Sequence, residues 1–497
     1  MSPLRTVVAP LPGLSGLSGL SALVGGAQRV ASWATASLGA AAPWNRLSRD
    51  GFSWDSGQSW IRDGRGSWIG VVIDNTGPQA VWAFSNDGGL TFSTSGAIDG
   101  GSLVRASLAY NPIDDSVYAL WEGQNNTDGI FIRRYAITRS TPGDPATTIA
   151  SIATTRDATL NLVLDSFTTT GAVSYHSPQL RYFNDGAWAH GAVLALWSVG
   201  QTGSTVNGGE VRASMRLLSN SAADNTAANW LAPAGAGTKT ITQGPTATLN
   251  WSKLFATSSF ATHIAGSGDP FVSSLRLPSG DLAVVHFDAS LDAFRLAEFA
   301  WRGTPNFDWA GTVTRTTLLA HLGGADADAG YTDKQELVSQ LSTTPSGGQL
   351  YVGLPQWAGD GSGGDRWVLV EVDFTNSRAV ATAVVYQATK ALSASTIFVT
   401  GAAYYDAAAG AVLTTYTDLS PKAAYSRTYN RTTPAAAAVA LYSTTPVDIP
   451  TILPWRDANG KAVVVFRDFN SQSVAVPPAT PTYTPPYQGF IARGVWS

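Results

Sequence analysis

Two short stretches near the N-terminus repeat one template, Ser-x-Asp-x-Gly-x-Ser/Thr-aromatic, over residues 53–60 and 85–92. In such a stretch the Asp carboxylate accepts hydrogen bonds from backbone N–H groups a few residues ahead, and Gly supplies a positive φ. The hydroxyl residue closes the turn a second time, and the aromatic side chain anchors it to a sheet. Each copy therefore predicts a self-stapled β-turn. The template positions are Ser53, Asp55, Gly57 and Trp60 in the first copy, and Ser85, Asp87, Gly89 and Phe92 in the second.

A second and longer repeat follows, in the order strand, polar turn, strand, loop, strand. Its copies alternate apolar residues with Gly, Asp, Asn or Pro turns, which is typical of antiparallel strands. About seven such units follow residue 66, and repeated β-meanders of this size predict propeller blades. We therefore predict an all-β propeller with about seven blades, six being the alternative. The copies cover residues 68–84, 108–122, 179–197, 274–288, 340–354, 402–418 and 452–468.

The N-terminal region differs from the rest of the chain, because residues 1–44 are rich in Gly, Ser and Ala. We interpret residues 1–44 as an irregular arm, with a short helix at 27–38, and residues 45–497 as the propeller. The arm is predicted to contact other subunits of an assembly, an uncleaved leader being the alternative. Residues 489–496 are predicted to form the final strand. The region 46–60 is its candidate partner in a last blade that combines N- and C-terminal strands.

The composition excludes several classes of protein. The formal net charge is −4, so the chain lacks the net positive charge that is typical of nucleic-acid-binding proteins. No cysteine is present, which excludes disulfides and thiolate metal sites. The chain contains no run of 18 apolar residues, so no membrane-spanning helix is predicted.

We predict no cofactor, with calcium left open for the Asp-rich loops that contain Asp326 and Asp328, or Asp360 and Asp365. The same Asp pairs are candidate glycosidase carboxylates, and a solvated loop is the alternative for each.

Acids and arginines recur at similar places in the longer repeat. The second strand often ends in an acid, and the third often opens near an arginine, which predicts a charged ring that binds a ligand. The alternative is a cross-strand ion pair that pins each hairpin, for example Asp288 with Arg295. The candidate ligand-binding residues are Glu122, Asp288, Asp418, Asp468, Arg133, Arg295, Arg427 and Arg493. Four tryptophans near predicted turns are candidates for stacking on sugar rings, with a structural role as the alternative for each: Trp301, Trp309, Trp357 and Trp455.

The two Ser-x-Asp-x-Gly-x-Ser/Thr-aromatic stretches resemble the Asp-box, also called the bacterial neuraminidase repeat, of sialidase-like β-propellers. The resemblance implies a propeller fold. Sialidases also use three arginines that bind the substrate carboxylate, a Tyr nucleophile activated by a Glu, and an Asp acid/base. The segment 67–85, which corresponds to their first arginine motifs, contains no arginine.

Since the sialidase catalytic motifs are not found, we predict a non-catalytic propeller in a larger assembly. The expected setting is a phage tail or another virion protein that presents a host- or glycan-binding surface. A secreted glycoside hydrolase of sialidase-like shape and a bacterial surface lectin are the alternatives. The predicted location is accordingly the virion, with secretion as the alternative.

Overall fold

The architecture comes from a computed structural model of the chain. The structure describes residues 28–37, 60–74, 79–98, 103–123, 129–166, 173–186, 188–201, 210–226, 229–230, 242–243, 247–248, 252–256, 272–288, 291, 293–302, 314–322, 339–356, 364–387, 401–418, 423–442, 447–468 and 489–497.

Seven antiparallel sheets follow one another along the chain, and each is one blade of a β-propeller. The prediction of an all-β propeller with seven blades is therefore confirmed. Strand β1 is Val30–Ser37. Blade 1 contains β2 (Trp60–Arg62), β3 (Trp68–Asp74), β4 (Gln79–Ser85) and β5 (Ser93–Ala97). Blade 2 contains β6 (Leu103–Asn111), β7 (Ser116–Gly123), β8 (Gly129–Arg139), β9 (Ile149–Ile152) and β10 (Asn161–Ser166).

The third and fourth blades follow the same plan. Blade 3 contains β11 (Val173–Phe183), β12 (Ala192–Gln201), β13 (Glu210–Leu217) and β16 (Ser252–Ala256). Between β13 and β16 lie a 3₁₀ turn (Ala222–Asn225) and the short hairpin of β14 (Thr242–Gln243) and β15 (Ala247–Thr248). Blade 4 contains β17 (Val272–Arg276), β18 (Leu282–Asp288), β19 (Ala293–Phe299) and β20 (Thr314–Ala320).

The last three blades complete the circle. Blade 5 contains β21 (Ser342–Thr343), β22 (Gln349–Gln356), β23 (Arg366–Asp373) and β24 (Ala379–Gln387). Blade 6 contains β25 (Gly401–Asp406), β26 (Ala411–Asp418), β27 (Ala423–Asn430), β28 (Thr433–Pro434) and β29 (Val439–Tyr442). Blade 7 contains β30 (Val447–Ile452), β31 (Ala462–Asp468), β32 (Gly489–Trp496) and, as its fourth strand, β1.

The pairing of β1 with β32 joins the start of the described chain to its end. The register runs antiparallel from Val30 opposite Trp496 to Ser37 opposite Phe490. The prediction that the region 46–60 partners the final strand is therefore wrong. The short helix predicted at 27–38 is also wrong. Val30 and Trp33 pack into the core between blades 6 and 7, and this long-range burial outweighs the helix preference of the alanines.

The predicted arm and the propeller thus overlap, because β1 lies inside residues 1–44. The remainder of that arm, residues 1–27 and 38–44, lies outside the described residues.

Each blade buries both of its faces against its two neighbours. Seven separate apolar clusters fill the seven blade interfaces, including the one that joins blade 7 to blade 1. The second strands accordingly read as continuous apolar runs, and every residue of β18 is buried. Six tryptophans are among the largest fully buried side chains. They are Trp68, Trp82, Trp121, Trp197, Trp230 and Trp367.

Polar turns collect on one face of the ring, which we call the turn face. In every blade the first strand meets the second on this face, and the third strand ends there. The opposite face, where second strands end and third strands begin, is the loop face. The first-to-second turns share an Asx-, Thr- or Gly-based geometry and are centred on Asp63, Asn111, Asn184, Gly280, Thr344, Asp406 and Asp457.

A ring of polar contacts between neighbouring blades runs around the turn face. The nitrogen-to-oxygen distance is 2.7 Å for Arg139–Asp63 and for His190–Asp114, and 2.8 Å for Arg276–Asp185 and for Arg456–Asp406. Arg378 contacts Glu298 at 2.5 Å, and Arg431 contacts Asp373 at 2.7 Å. Arg493 of blade 7 donates to the carbonyl of Gly89 in blade 1 and so closes the ring. Both side chains of the Arg139–Asp63 pair are buried, so removing one partner would leave an uncompensated charge.

The closure by β1 makes a testable prediction. Trp33→Ala removes apolar packing and the 2.7 Å hydrogen bond from the indole Nε1 to Ser426 Oγ. We expect the free energy of unfolding to fall by about 2–3 kcal/mol, measured by denaturant titration. Ala34→Ser, on the exposed side of the same strand, is the control and should change it by less than about 0.5 kcal/mol. Equal stability of the two variants would contradict the closure.

Candidate functional site

The turn at residues 85–92 joins β4 to β5 on the turn face and contains a local network of hydrogen bonds. Asp87 Oδ1 accepts from the hydroxyl of Ser85 at 2.7 Å and from the backbone N–H of Leu90 at 3.0 Å. Its Oδ2 accepts from the hydroxyl of Thr91 at 2.6 Å, and Gly89 donates its N–H to Ser85 Oγ at 2.8 Å. Burial opposes ionisation of Asp87, but the hydrogen bonds outweigh it and hold its pKa below the ordinary value.

The aromatic end of this turn ties it to the first blade. Phe92 meets Trp60 edge-on with ring centroids 5.7 Å apart, and meets Trp68 at 6.2 Å. Trp60 is the aromatic residue of the first template copy, so the two copies share one cluster. The other positions of the first copy, Ser53, Asp55 and Gly57, lie outside the described residues.

The four predicted strand-end acids occupy equivalent positions in the backbone. Glu122, Asp288, Asp418 and Asp468 lie at the loop-face ends of β7, β18, β26 and β31, which are the second strands of blades 2, 4, 6 and 7. Among the four, only the side chain of Asp288 is described. It is buried and contacts Arg295 at 3.2 Å, which is the cross-strand pair given as the alternative.

The predicted arginines, by contrast, lie at different positions between the loop face and the turn face of their blades. Arg295 is opposite His286 near the loop face, whereas Arg493 is opposite Val463 near the turn face. Arg133 is buried, with its guanidinium 4.9 Å from the ring centre of Trp121 and its Nε donating to Asn161 at 3.1 Å. Arg427 donates to the carbonyl of Val385 at 3.5 Å, and Arg493 contacts Asp457 at 3.3 Å. These four arginines therefore do not form a ring at one level.

A buried charged cluster that the sequence did not indicate joins blades 2 and 3. Asp165 Oδ2 accepts from the guanidinium of Arg212 at 2.6 Å and from the indole Nε1 of Trp197 at 2.8 Å. The Arg212 and Asp165 side chains are 2% and 0% exposed, so the pair is structural. No sequence signal pointed to Asp165, because its partners come from another blade.

A Tyr–Glu pair also occurs, but its surroundings do not suit a sialidase nucleophile. Tyr351 and Glu371 are each 1% exposed at the interface of blades 5 and 6. Arg431 binds the Glu371 carboxylate, with Nε 2.8 Å from Oε1. Burial and the neighbouring Glu371 raise the pKa of the Tyr351 hydroxyl, which is the opposite of activation.

The described histidines and acids form no group of three that would hold a metal ion. Burial lowers the pKa of His286 to about 4, and its Nδ1 lies 3.2 Å from the carbonyl of Phe287. His321 packs on Phe287 and Phe294. Within the described ranges no helix is long and apolar enough to cross a membrane.

The first strands of the blades surround a cavity of about 560 Å³ on the propeller axis at the turn face, here called the axial cavity. Its lining combines aromatic rings with polar groups, and Asp63 is its single described acid. The residues with side-chain polar groups are Trp60, Arg62, Asp63, Tyr110, Arg181, Tyr182, Gln340 and Trp455. The cavity has the size and the mixed lining of a small-molecule or sugar site.

Hydrogen bonds hold the aromatic and cationic walls of the axial cavity in place. The Tyr110 hydroxyl donates to Asp115 at 2.9 Å, and Trp455 meets Trp68 edge-on with centroids 5.7 Å apart. Arg181 reaches from blade 3 to the carbonyl of Ser274 in blade 4. The site is thus built from blades that lie far apart in sequence.

Of the four tryptophans predicted to stack on sugars, Trp455 lines this cavity. Trp301 instead packs edge-on against Phe183 and Trp188, at 5.5 and 5.8 Å, with the Arg276 guanidinium 4.9 Å from its ring centre. Trp309 and Trp357 lie outside the described residues. So do Asp326, Asp328 and Asp360, whereas Asp365 is buried next to the start of β23.

No protein-family model matches this chain, and no curated protein matches it. Among solved structures, it is similar to an α-L-arabinanase of Penicillium chrysogenum, with 11% identity and a TM-score of 0.40 over 74% of this chain and 91% of the other. It is also similar to the polysaccharide lyase Uly1, with 8% identity and a TM-score of 0.44 over 88% and 89%. An α-L-arabinofuranosidase of Fusarium graminearum matches with 11% identity and a TM-score of 0.37 over 79% and 92%.

These likenesses correct one prediction made from the sequence. The three structures are named for action on carbohydrates, and the main prediction, a non-catalytic phage-tail propeller, is not borne out. The resemblance to the Asp-box family extends to the propeller fold, and membership of that family is not shown.

The hydrogen bonds of the 85–92 turn predict a purely structural role for Asp87. Asp87→Ala leaves the N–H groups of Leu90 and Thr91 without their acceptor. We expect a loss of about 1–2 kcal/mol in the free energy of unfolding, measured by urea titration, with any ligand binding unchanged. Loss of binding in a fully folded Asp87→Ala protein would contradict this role.

Burial of His286 predicts an acid-sensitive fold. Its pKa is about 4 in the folded chain and about 6.5 in the unfolded chain, so the unfolded chain takes up a proton first as the pH falls. Stability is complete above about pH 6.5 and decreases below it, by about 2 kcal/mol at pH 5. His286→Gln should flatten this part of the profile, measured as unfolding free energy from pH 8 to 5. An unchanged slope would show that another group is responsible.

Proposed function

We propose that this chain is a carbohydrate-active β-propeller, a glycoside hydrolase, that binds a saccharide in the axial cavity. The observation that supports the proposal is the lining of that cavity. Sugar rings present C–H faces that pack on aromatic side chains and hydroxyl edges that need hydrogen-bond partners. Trp455 and Tyr182 supply the first kind of surface, and Arg181 and Gln340 supply the second.

Hydrolysis of a glycosidic bond needs two carboxyl groups, one as acid and one as base or nucleophile. Asp63 is a poor candidate, because Arg139 binds its Oδ2 at 2.7 Å and the turn N–H groups of Arg65 and Ser67 occupy its Oδ1. The four strand-end acids are the better set. They lie at the loop face, at the opposite end of the first strands from the axial cavity, so a saccharide that they cleave must extend along the axis from that cavity. Asp288 is already paired with Arg295, so we propose that the catalytic pair comes from Glu122, Asp418 and Asp468.

The activity is tested with a panel of plant and bacterial polysaccharides that includes arabinan, by measuring new reducing ends. We expect at least one polysaccharide to be cleaved. Glu122→Gln, Asp418→Asn and Asp468→Asn are then compared at equal folded concentration, with Asp288→Asn as the control at an acid that is paired with Arg295. Two of them should lose about 10²–10⁴-fold in kcat, because each catalytic carboxyl contributes that much. Full activity in Glu122→Gln, Asp418→Asn and Asp468→Asn would refute the assignment of the pair.

The axial cavity is tested separately with Trp455→Ala. We expect KM to rise about tenfold with little change in kcat, since an aromatic platform binds ground state and transition state alike. Trp188→Phe is the matched control, because Trp188 packs between blades 3 and 4 outside the cavity. Saccharide binding without cleavage of any substrate would favour the lectin alternative. Absence of both would refute the proposal.

A further inference from the structure

A second cavity of about 280 Å³ lies on the turn face between blades 7 and 1. Three arginines line it, and we call it the arginine pocket. Arg62 comes from the end of β2, Arg65 from the turn that follows, and Arg456 from the turn that precedes β31. The pocket therefore draws its cations from two sequence regions about 390 residues apart, which ring closure brings together.

The positive charge of the arginine pocket exceeds what its neighbours neutralise. Arg456 is bound by both oxygens of Asp406, each at 2.8 Å, and its own charge is therefore matched. Arg62 and Arg65 have no ion pair with any acid among the described residues. The contact of Arg65 with the carbonyl of Asn86, at 3.4 Å, is long and leaves most of its donors available.

The one acid in the lining does not offset this excess. Asp457 is buried, and its Oδ2 faces Arg493 at 3.3 Å. Its Oδ1 accepts from the backbone N–H groups of Asn459 and Lys461, each at 2.9 Å. The Asp457 carboxylate therefore belongs to its own turn and to Arg493. The guanidinium groups of Arg62 and Arg65 are thus exposed, are not neutralised by this acid, and line the same pocket.

Glycines keep the walls of the arginine pocket open. Gly66 has a φ of 95°, and a Cβ there would lie 2.7 Å from Nη2 of Arg62. Gly88 has a φ of 68°, and a Cβ there would lie 2.8 Å from the Cβ of Ala458. A side chain at either position would be strained, and at Gly66 it would also displace the guanidinium.

We infer that the arginine pocket is an oxyanion site that binds the carboxylate or sulfate group of an acidic saccharide. Planar guanidinium groups bind such oxyanions with two parallel hydrogen bonds, and two of them together favour a doubly contacted anion. Arg62 lines both the arginine pocket and the axial cavity, so an anion held here is adjacent to a sugar bound on the axis. The saccharide part of this inference rests on the proposed function, whereas anion binding does not.

The test is calorimetric titration with three oligosaccharides of equal length: a uronic acid oligomer, its carboxyl-reduced neutral form, and a sulfated form of the neutral oligomer. We expect the charged oligomers to bind at least tenfold more tightly than the neutral one, with an affinity that falls as salt rises. The uronate and sulfate arms show which oxyanion fits better. Equal affinity for charged and neutral oligomers would overturn the inference.

Variants then locate the binding. Arg62→Ala and Arg65→Ala should each weaken binding of the charged oligomers about tenfold. Arg65→Ala, which lies outside the axial cavity, should leave binding of the neutral oligomer unchanged. Arg62→Lys should recover part of the affinity, because it restores charge without the paired donors. Arg315→Ala, an exposed arginine of blade 4, is the charge-matched control. Wild-type affinity in the Arg62→Ala/Arg65→Ala double variant, with an unchanged melting temperature, would overturn the inference.

The oxyanion site and the hydrolase activity can be refuted independently. Binding of a charged oligomer that depends on Arg62 and Arg65, without cleavage of any polysaccharide, supports the oxyanion site and refutes the hydrolase. Cleavage of neutral polysaccharides, with no preference for acidic ones and no effect of Arg65→Ala on the binding of a charged oligomer, refutes the oxyanion site alone.

Discussion

The burial of each blade against its two neighbours is the constraint on which the rest of this structure depends. A four-stranded sheet with two apolar faces is stable only when both are covered, and a closed ring covers all of them. The interface of blades 7 and 1 is decisive, because it covers the two faces that a linear stack would leave exposed. Trp60 and Trp68 of blade 1 pack there against Leu453 and Ile491 of blade 7. Strand β1 fastens the same blade from outside by pairing with β32.

Ring closure also determines the electrostatics of the turn face. Packing the blades side by side brings an arginine or histidine of one blade to a carboxylate of the next at six of the seven interfaces, and Arg493 spans the seventh. Charges that are shielded from water need such partners. Arg62 and Arg65 lie on the same face and have no such pair within the described part of the chain, which distinguishes them from the arginines of the ring.

The polar and aromatic side chains therefore fall into two groups: those that hold the fold together and those that line a cavity. Asp63, Asp165, Glu371 and Asp457 are all buried and bound by arginines, and they hold blades or turns together. The half-exposed side chain of Trp455 lines the open space of the axial cavity instead. Few of the structural pairs could be recognised in the sequence, because most of the partners belong to different blades. Asp288 and Arg295 are the exception, since one hairpin carries both.

The sequence by itself determined the local elements: alternating strands, the polar turns between them, and hence a propeller with seven blades. These depend on residues close along the chain, such as Asp87 with Ser85 and Thr91. Only the tertiary structure decided that β1 closes the last blade, that the predicted arginines lie at different heights, and which side chains line the two cavities. Those features depend on contacts between residues tens to hundreds of positions apart. Such contacts leave no periodic pattern in the sequence, because their energy is gained only when the ring has closed.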